Sequence, residues 1–378
     1  MNILLITQLF PYDSEARYTS GALREFAVAW SNAGHRVKVV RPHYAYEREP
    51  FPANPEFRIG DQIEVEFIKP LRIPLLKMSW YSRRKLIKSL PMKPDVLICH
   101  LYNAYFPFYS LAKKLDVPLI IGIHMSDVRL AENSFHRWLQ KRVFRHASGF
   151  ACRSHAYLKL FTDRFPECSD RTFLALSGIP GEYLANNRQT VSRSANRIIS
   201  VCRLIKRKQI DKVLQVLAKM NSGSGWEYVV VGNGDEEQRL KGMSHDLGIA
   251  GKVRFTGELS RDEVIRELRE SDLFILPSYD ETLGLVYLEA MACGCITIGA
   301  RNEGIDGIIR DGENGFLCDA ASEASIGQKL VQAMQLSEVE RKKMRDKTLQ
   351  SVEGFSIAQK AEAYLEHIKK YLPAENFF

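Results

Sequence analysis

Short runs of branched apolar residues alternate with longer stretches of helical periodicity along the chain. In the first half these runs predict strands at Ile3–Ile6, Val37–Val40, Ile63–Ile68, Val96–Cys99, Leu119–Ile123 and Gly149–Cys152. Helices are predicted between them at Ala22–Ala33, Phe106–Lys114, Phe135–Phe144 and Ala156–Arg164. This alternation predicts a parallel sheet whose two faces are covered by helices.

The second half repeats the alternation after a segment rich in Asn, Ser, Arg and Thr. That segment, Ala185–Asn196, is predicted to be a linker. The following strands are predicted at Ile198–Cys202, Glu227–Val231, Val253–Phe255, Leu273–Leu276 and Ile296–Ile298. The predicted helices are Lys212–Met220, Glu236–Leu247, Arg261–Glu270 and Leu285–Cys293. A last amphipathic helix follows Phe355.

Length and composition favour a two-domain globular protein. The chain has 378 residues, of which 45% are hydrophobic and 26% charged. No apolar stretch approaches the roughly 20 residues that cross a bilayer, and the N-terminus begins with a strand-like run rather than a signal peptide. Seven scattered cysteines favour reduced, cytosolic thiols. Cys293 and Cys295 are expected to be small buried residues rather than metal ligands.

The net charge of +8 is concentrated in one segment. Residues 69–93 contain eight cations and no Asp or Glu, interleaved with branched apolar residues, Trp80 and Tyr81. The cations are Lys69, Arg72, Lys77, Arg83, Arg84, Lys85, Lys88 and Lys93. This composition suits the interface of an anionic membrane. The alternatives are an ordinary solvated loop and helix, or nucleic-acid binding, for which no accompanying motif is present.

The segment Pro277–Cys295 contains the strongest chemical signal of the chain. A buried strand ends at Pro277, and a polar loop then leads into a helix. Glu281 and Glu289 bracket this turn with seven residues between them, and Leu283–Leu285 offer free backbone N–H groups. Such a turn could hold a diphosphate on its amides while the carboxylates accept hydrogen bonds from sugar hydroxyls. The alternative is a helix start with two solvated glutamates.

This segment resembles the Glu-x7-Glu motif of retaining nucleotide-sugar glycosyltransferases of the group 1 / family 4 type. The resemblance implies the GT-B architecture, an α/β fold of two Rossmann-like domains with a cleft between them and a C-terminal helix that crosses back. We therefore expect an acceptor-binding domain at residues 1–185 and a nucleotide-sugar-binding domain at 186–352. Residues 353–378 should pack on the first domain.

The same resemblance assigns roles around the donor. The family has an Arg after the first strand of its second domain and a Lys five residues later, a spacing that Arg203 and Lys208 match. Both should neutralise the leaving diphosphate. Gln209 stands where the family usually has Gly. Glu281 is expected to hold sugar hydroxyls, and Glu289 the ribose.

Several further residues match the family's donor loops. The loop Asn302–Asp306 departs from the family's Gly pair, so its role is left open. A Ser20-Gly21 pair replaces the usual two glycines after the first strand. The expected donor-binding set also contains Gly21, Gly232, Gly234, Thr256, Gly257, Leu283, Gly284 and Leu285. Taken alone, Gly232-Asn233-Gly234 is equally typical of a plain turn.

His124 follows the strand Leu119–Ile123 and resembles the family's His that lies over the donor sugar. A lone His is usually structural, but its position at a strand end favours a catalytic role. His100, after the neighbouring strand, is the weaker candidate. The catalytic set predicted from the resemblance is therefore Glu281, His124, Arg203 and Lys208.

The sequence contains no Asp-x-Asp loop at any predicted strand end, and the cations Arg203 and Lys208 stand in its place. We therefore predict chemistry independent of divalent metal and of any cofactor. The implied reaction transfers sugar from a nucleotide-diphosphate sugar, such as a UDP-sugar, to a glycan or lipid-linked acceptor with retention. The protein should be cytoplasmic and peripheral to the membrane. The alternatives are an epimerase and a non-catalytic binding protein of the same architecture.

Overall fold

A computed structural model describes residues 1–12, 21–47, 49–73, 78–185, 196–220 and 225–373. The chain forms two compact units. The first consists of Met1–Arg153, Tyr157–Gly178 and Ile357–Phe378, and the second of Ser154–Ala156 and Ile179–Ser356. The predicted linker lies outside the described residues except at its two ends, Ala185 and Asn196.

The first unit is built on an eight-stranded sheet. Its strand order is β10-β9-β8-β7-β1-β2-β4-β3, parallel throughout except for the antiparallel edge strand β3. A separate antiparallel pair is formed by β5 and β6. The strands are β1 (Asn2–Thr7), β2 (Arg36–Pro42), β3 (Glu56–Ile59), β4 (Ile63–Ile68), β5 (Leu71–Ile73), β6 (Met78–Trp80), β7 (Val96–His100), β8 (Leu119–Ile123), β9 (Gly149–Cys152) and β10 (Thr172–Leu174).

Helices cover both faces of this sheet, as the hydrophobic pattern predicts. Because side chains alternate along a strand, Leu4 and Ile6 enter one apolar cluster, while Ile3 and Leu5 enter the other. The helices are α1 (Ala22–Asn32), α2 (Arg83–Ser89), α3 (Tyr102–Leu115), α4 (Met125–Leu130), α5 (Ser134–Phe144) and α6 (His155–Arg164). Residues of α2 through α6 contribute to the first cluster, and residues of α1 to the second.

Helix α3 begins four residues earlier than predicted, although it contains Pro107. A proline cannot donate to the carbonyl four residues back, which here is that of Asn103. The hydroxyl of Tyr44 donates to this carbonyl at 2.7 Å. The long-range hydrogen bond therefore replaces the missing helical one, and local periodicity alone gives no sign of it.

The second unit has a six-stranded, fully parallel sheet in the order β13-β12-β11-β14-β15-β16. Its strands are β11 (Arg197–Val201), β12 (Glu227–Val231), β13 (Val253–Gly257), β14 (Leu273–Ile275), β15 (Ile296–Ala300) and β16 (Phe316–Cys318). Its helices are α7 (Gly181–Leu184), α8 (Ile210–Lys219), α9 (Glu237–Asp246), α10 (Arg261–Glu270), α11 (Leu285–Ala292), α12 (Glu323–Met334) and α13 (Glu338–Val352). The sequence pattern predicts all of these strands except β16, and it misses α7, α12 and α13.

The last helix, α14 (Ile357–Lys369), belongs to the first unit. Trp30 of α1 donates its indole N–H to the carbonyl of Ala361 at 2.9 Å. Tyr364 packs edge-on against the rings of Phe26 and Trp30, with centroids 5.6 Å apart in both pairs. These contacts bury the apolar face of α14 against α1.

The basic segment 69–93 forms β5, β6 and α2, and its residues 74–77 lie outside the described part of the chain. Leu86 is fully buried in the first apolar cluster, and Ile87 packs against it. Arg84, Lys85 and Lys88 point outward on the same helix. Leu86 and Ile87 of α2 therefore belong to the core, while Arg84, Lys85 and Lys88 are exposed. None of the described helices is long and apolar enough to cross a membrane.

Two neighbouring cysteines of the second unit are small packed residues. Cys293 and Cys295 are buried, and the Cys295 thiol donates to the carbonyl of Leu268 at 3.0 Å. All seven cysteines of the chain are free thiols.

A buried carboxylate fixes α13 to the sheet of the second unit. Asp272, immediately before β14, is 1% exposed and accepts hydrogen bonds from Arg341 and Arg345 of α13. Arg341 is itself buried. Because the two charges compensate each other away from water, removal of either leaves the other without its partner.

We expect Asp272→Ala to lower the free energy of unfolding by about 3 kcal/mol or more, since buried Arg341 loses its counter-ion. Urea unfolding followed by circular dichroism measures this. As a control, Asp346→Ala removes an exposed carboxylate of α13, the helix that carries Arg341, and should change stability by less than about 0.5 kcal/mol. An unchanged midpoint for Asp272→Ala would show that this ion pair does not stabilise the unit.

Candidate functional site

The predicted donor loops of the second unit all leave the same edge of its sheet. Because the six strands are parallel, their carboxyl ends lie together. The strand order reverses between β11 and β14, which are neighbours in the sheet although about 70 residues separate them in sequence. Parallel α/β sheets bind ligands at such a switch point, because the helices that follow the two strands diverge and leave a crevice.

The two predicted cations in the loop after β11 differ in their exposure to solvent. Arg203 is exposed, and its side chain makes no ion pair with another described residue. Lys208 is buried at the end of a short 3-10 turn, Lys206–Lys208. Gln209 then adopts a left-handed conformation, with φ of 54°, and donates its side-chain amide to the carbonyl of Pro277. The left-handed geometry accounts for the glycine that is usual at this position, and the amide ties the β11 loop to β14.

The central contact of the site is a buried ion pair between Lys208 and Glu281. Their side chains are only 9% and 12% exposed. The same carboxylate oxygen is 3.2 Å from the guanidinium of Arg207 and accepts a hydrogen bond from Ser278 at 3.3 Å. The structure therefore brings two predicted catalytic residues together and adds a cation and a hydroxyl that the sequence analysis did not name.

A buried tyrosine, Tyr287, positions the loop that carries Glu281. Tyr287 donates its hydroxyl to the carbonyl of Leu276 at 2.6 Å and lies 2.9 Å from the hydroxyl of Ser278. Gly284 has φ of 71°, and a Cβ there would come within 3.0 Å of the Glu281 side chain and 2.5 Å of the Tyr287 ring. Glycine is required here by conformation and by space.

The loop after β15 supports the same turn. Glu303 accepts a hydrogen bond from the backbone N–H of Glu281 at 2.8 Å, and its burial raises the pKa of its carboxyl group. The N–H of Gly304 donates to the carbonyl of Glu281 at 2.9 Å, and a Cβ on Gly304 would lie 2.5 Å from the backbone of Leu283. The Asn302–Asp306 loop, whose role the sequence left open, thus holds the backbone on both sides of Glu281.

The Gly232-Asn233-Gly234 turn holds the loop that carries Arg203. Both glycines have positive φ, and a Cβ on either would collide with a backbone carbonyl of the β11 loop. The N–H of Leu204 donates to the carbonyl of Asn233 at 2.7 Å, and the N–H of Gly232 to that of Gly257 at 2.8 Å. The hydroxyl of Thr256 also donates to the Gly257 carbonyl, at 2.9 Å. These residues therefore shape the edge of the site through their backbones.

The start of α11 presents unpaired donors. The N–H groups of Leu283, Gly284 and Leu285 make no hydrogen bond with any acceptor in the described part of the chain. Glu289 lies in the second turn of α11, where its carboxylate adds to the effect of burial in raising the pKa of Tyr183. Amides and a partly exposed carboxylate are thus arranged along one helix end.

The first unit contains a second group of titratable side chains, at the carboxyl ends of β7 and β8. The rings of His100 and His124 share a hydrogen bond of 3.0 Å, and a Cβ on Gly122 would overlap the His100 ring. Burial and the nearby Arg153 lower the pKa of His124. His100 is fully buried, whereas His124 is partly exposed. The lowered pKa favours the neutral imidazole of His124, and His100 holds that ring through the shared hydrogen bond.

Asp127 fixes the position of His124. Its carboxylate accepts a hydrogen bond from the His124 backbone N–H at 2.8 Å at the start of α4. Burial raises the pKa of Asp127 to about 7. Gly21 is the N-cap residue before α1 and has a φ of −64°, and Ser20 lies outside the described residues. The donor role of Gly21 stays a prediction.

The sequence analysis missed Arg207, Ser278, Tyr287 and Glu303 as members of the site. Arg207 was visible as part of a basic run, and Glu303 as a carboxylate after a strand. Their contacts depend on the order of the strands, which a local pattern does not give. Among the described residues, no group of three or more His, Cys, Asp or Glu side chains could hold a metal ion.

Two family descriptions divide the chain between them. "Glycosyl transferases group 1" matches residues 185–351, and "Glycosyltransferase Family 4" matches residues 22–180. An uncharacterized glycosyltransferase of Haemophilus influenzae is 36% identical over 276 residues, which cover 70% of this chain and 74% of that protein.

Two further relatives match over shorter stretches. An N-acetyl-alpha-D-glucosaminyl L-malate synthase of Bacillus anthracis is 33% identical over 40% of this chain. The lipopolysaccharide core biosynthesis glycosyltransferase LpsE of Rhizobium meliloti is 29% identical over 47% of it. The matches span 39% and 51% of the length of these two proteins.

Solved structures share the fold at low sequence identity. Anabaena HepE in complex with UDP and glucose has a TM-score of 0.69 at 16% identity, covering 98% of this chain and all of HepE. The lipopolysaccharide outer core galactosyltransferase WaaB has a TM-score of 0.70 at 16% identity, with coverage of 98% and 100%. The fold is GT-B, and with the family matches this shows that the chain belongs to the group 1 glycosyltransferases.

Proposed function

We propose that this protein transfers a sugar from a nucleotide-diphosphate sugar to an acceptor hydroxyl, with retention of the anomeric configuration. The observation that carries the proposal is the Lys208–Glu281 ion pair at the switch point of a parallel sheet, with exposed Arg203 on the same loop as Lys208. A cation pair suits a diphosphate, and a carboxylate suits sugar hydroxyls.

The chemistry of the pair allows both partners to contact the donor. A lysine ammonium has three N–H donors, and one of them is directed at Glu281. The remaining donors of Lys208 and the guanidinium of Arg203 would neutralise the diphosphate, with the N–H groups of Leu283–Leu285 assisting. Glu281 would hold the sugar hydroxyls, and Glu289 the ribose.

In the proposed step the acceptor hydroxyl oxygen forms a bond to the anomeric carbon from the face that the diphosphate leaves. The bond between that carbon and the diphosphate oxygen breaks, and its electron pair stays with the diphosphate. The departing oxygen takes the proton of the acceptor hydroxyl. No protein side chain then has to act as nucleophile, and the positive charge of Arg203 and Lys208 stabilises the leaving group.

His124 would contribute a hydrogen bond to the sugar rather than a proton. Burial and Arg153 disfavour its protonated form, so at neutral pH it is an uncharged imidazole. One ring nitrogen is engaged by His100, whose pKa is lowered for the same reason. This role for His124 is part of the proposal.

The relatives support the choice of donor and acceptor. HepE binds UDP and glucose, and we propose a UDP-sugar as the donor. LpsE and WaaB act in lipopolysaccharide core biosynthesis by name, and we propose a lipid-linked or cell-envelope glycan as the acceptor. The exposed cations of α2 would hold the enzyme on an anionic, cytoplasmic membrane face.

The first test of this function is a screen of UDP-, GDP- and ADP-sugars by thermal unfolding. A ligand that binds only the folded protein adds about 2.7 kcal/mol of stability at 100 times its dissociation constant. We expect UDP-sugars to raise the melting temperature more than the others. Equal responses to all three would contradict selective recognition of uridine, and no response to any would contradict donor binding.

Arg203→Ala should weaken binding of UDP by about 1.5–3 kcal/mol, because a charge-assisted contact to the diphosphate is lost. Isothermal titration calorimetry measures the change. Lys206→Ala is the matched control, since it removes an exposed cation of the same loop and should cost less than about 0.5 kcal/mol. Equal losses in both variants would mean that Arg203 acts only through the general charge of the loop.

Glu281→Gln should lower turnover at least about a hundredfold, the usual cost of removing one hydrogen-bonding group from a reacting centre. UDP affinity should stay nearly intact because the carboxylate is assigned to the sugar. Gln keeps the volume beside Lys208, and Glu313→Gln changes an exposed carboxylate of the same unit as control. If UDP affinity falls as much as turnover, Glu281 contacts the nucleotide instead.

Transfer should survive excess EDTA, because Arg203 and Lys208 supply the positive charge at the diphosphate. The measurement is the initial rate with the donor found in the screen, before and after chelation. A rate that chelator abolishes and Mg²⁺ or Mn²⁺ restores would contradict metal-independent chemistry.

A further inference from the structure

Helix α5 exposes two large aromatic side chains. Phe135 is 49% exposed and Trp138 is 56% exposed. Their rings stack, with centroids 6.2 Å apart and planes inclined by 24°. Single exposed apolar residues are common on protein surfaces, but an aromatic pair in contact forms a patch and indicates a binding surface.

The orientation of this patch is fixed by the opposite face of the helix. Leu139, Val143 and Phe144 are buried in or beside the first apolar cluster. Gln140 is also buried, and it donates to the Tyr105 hydroxyl and to the Asp127 carbonyl, both at 2.9 Å. With four residues held inside, α5 cannot turn its aromatic pair toward the core.

Cations surround the aromatic pair on the outward face. At about 100° per residue, positions 135, 138, 142 and 145 follow one line along the helix, and 141 lies beside it. Lys141, Arg142 and Arg145 are all exposed, and α5 contains no Asp or Glu. Aromatic side chains and basic side chains thus share one solvent-facing surface.

The acidic neighbours leave this surface positive. Lys141 pairs with Glu167 at 3.0 Å. Burial alone raises the pKa of Glu167, but a backbone hydrogen bond, Lys141 and nearby Arg145 together lower it below its ordinary value. Arg142 makes no ion pair with another described residue, and exposed Glu132 precedes the helix. The excess of cations over carboxylates favours an anionic partner.

We propose that the outward face of α5 inserts into the headgroup region of an anionic bilayer. Trp and Phe side chains are favourable at this depth, where apolar area is buried, while Lys and Arg contact lipid phosphates. Each such cation contributes about 1 kcal/mol near an anionic surface. This proposal extends the membrane part of the proposed function to a second surface.

Helices α2 and α5 would meet the bilayer in different ways. Leu86 of α2 and Val143 of α5 enter the same apolar cluster, so both helices cover one face of the first sheet. The described outward side chains of α2 are Arg84, Lys85 and Lys88, which provide charge without an apolar anchor. Salt screens such contacts, whereas it does not weaken the burial of Phe135 and Trp138.

The test is sedimentation of the full chain with phosphatidylcholine vesicles, with and without phosphatidylglycerol, at low and high salt. Phe135→Ser/Trp138→Ser should raise the dissociation constant for anionic vesicles at least about tenfold, equivalent to about 1.4 kcal/mol, at both salt concentrations. Arg84→Ser/Lys85→Ser/Lys88→Ser should weaken binding at low salt only. Val339→Ser, which changes a 79% exposed residue of the second unit, should bind as the parent does.

A second, conservative variant distinguishes loss of membrane insertion from misfolding. Trp138→Phe keeps an aromatic ring and should retain vesicle binding, but it should lose the blue shift of tryptophan emission that the parent shows with anionic vesicles. The chain has four tryptophans, and the buried Trp30 and Trp226 serve as an internal reference. Persistence of the full shift in Trp138→Phe would overturn insertion of this side chain.

Two results would overturn the proposal as a whole. One is unchanged vesicle binding by the aromatic double variant. The other is a parent that forms a dimer in light scattering, which the double variant abolishes while vesicle binding stays the same, because the patch would then join two copies of the chain. UDP binding in the same variants reports separately on the proposed function and should equal that of the parent.

Discussion

The site depends on one constraint, the burial of two opposite charges where the second sheet reverses its strand order. Lys208 and Glu281 follow strands that are neighbours in the sheet but distant in sequence. Two opposite charges withdrawn from water stabilise a fold only if they meet with good geometry and further hydrogen bonds. Arg207 and Ser278 supply these on the Glu281 side. The fold thus assembles the pair, and the pair in turn fixes the two loops that would receive a ligand.

The backbone conformation around the pair is determined by uncharged residues that take no part in the proposed reaction. Gly232, Gly234 and Gly304 allow loops to approach at distances that a Cβ would prevent. Gln209 adopts a left-handed conformation that glycine adopts more easily, at a cost of the order of 1 kcal/mol, offset by its hydrogen bond to Pro277. Such features place Arg203 and Glu281 without appearing in any motif of charged residues.

The sequence allowed most strands of the two sheets to be predicted, because their apolar pattern is local, but it missed the edge strands β3, β10 and β16. Alternation along β1 shows directly as burial of Leu4 and Leu5 on opposite faces. The Lys208–Glu281 contact could not be predicted, because the two residues are 73 positions apart in sequence and only the order of the strands brings them together. The same limit applies to the first turn of α3, where the Asn103 carbonyl that Pro107 leaves unpaired accepts its hydrogen bond from the distant Tyr44.

The basic segments show why composition alone does not locate an interface. In α2 the apolar partner of the cations, Leu86, is buried and therefore unavailable to a lipid. In α5, Val143 is buried in the core and Trp138 is exposed to solvent. Both helices mix basic and apolar residues, yet only the angular position of each residue around the helix decides which of them meets solvent. A bilayer would respond to charge on α2 and to both charge and apolar area on α5, so the two helices would differ in their dependence on salt.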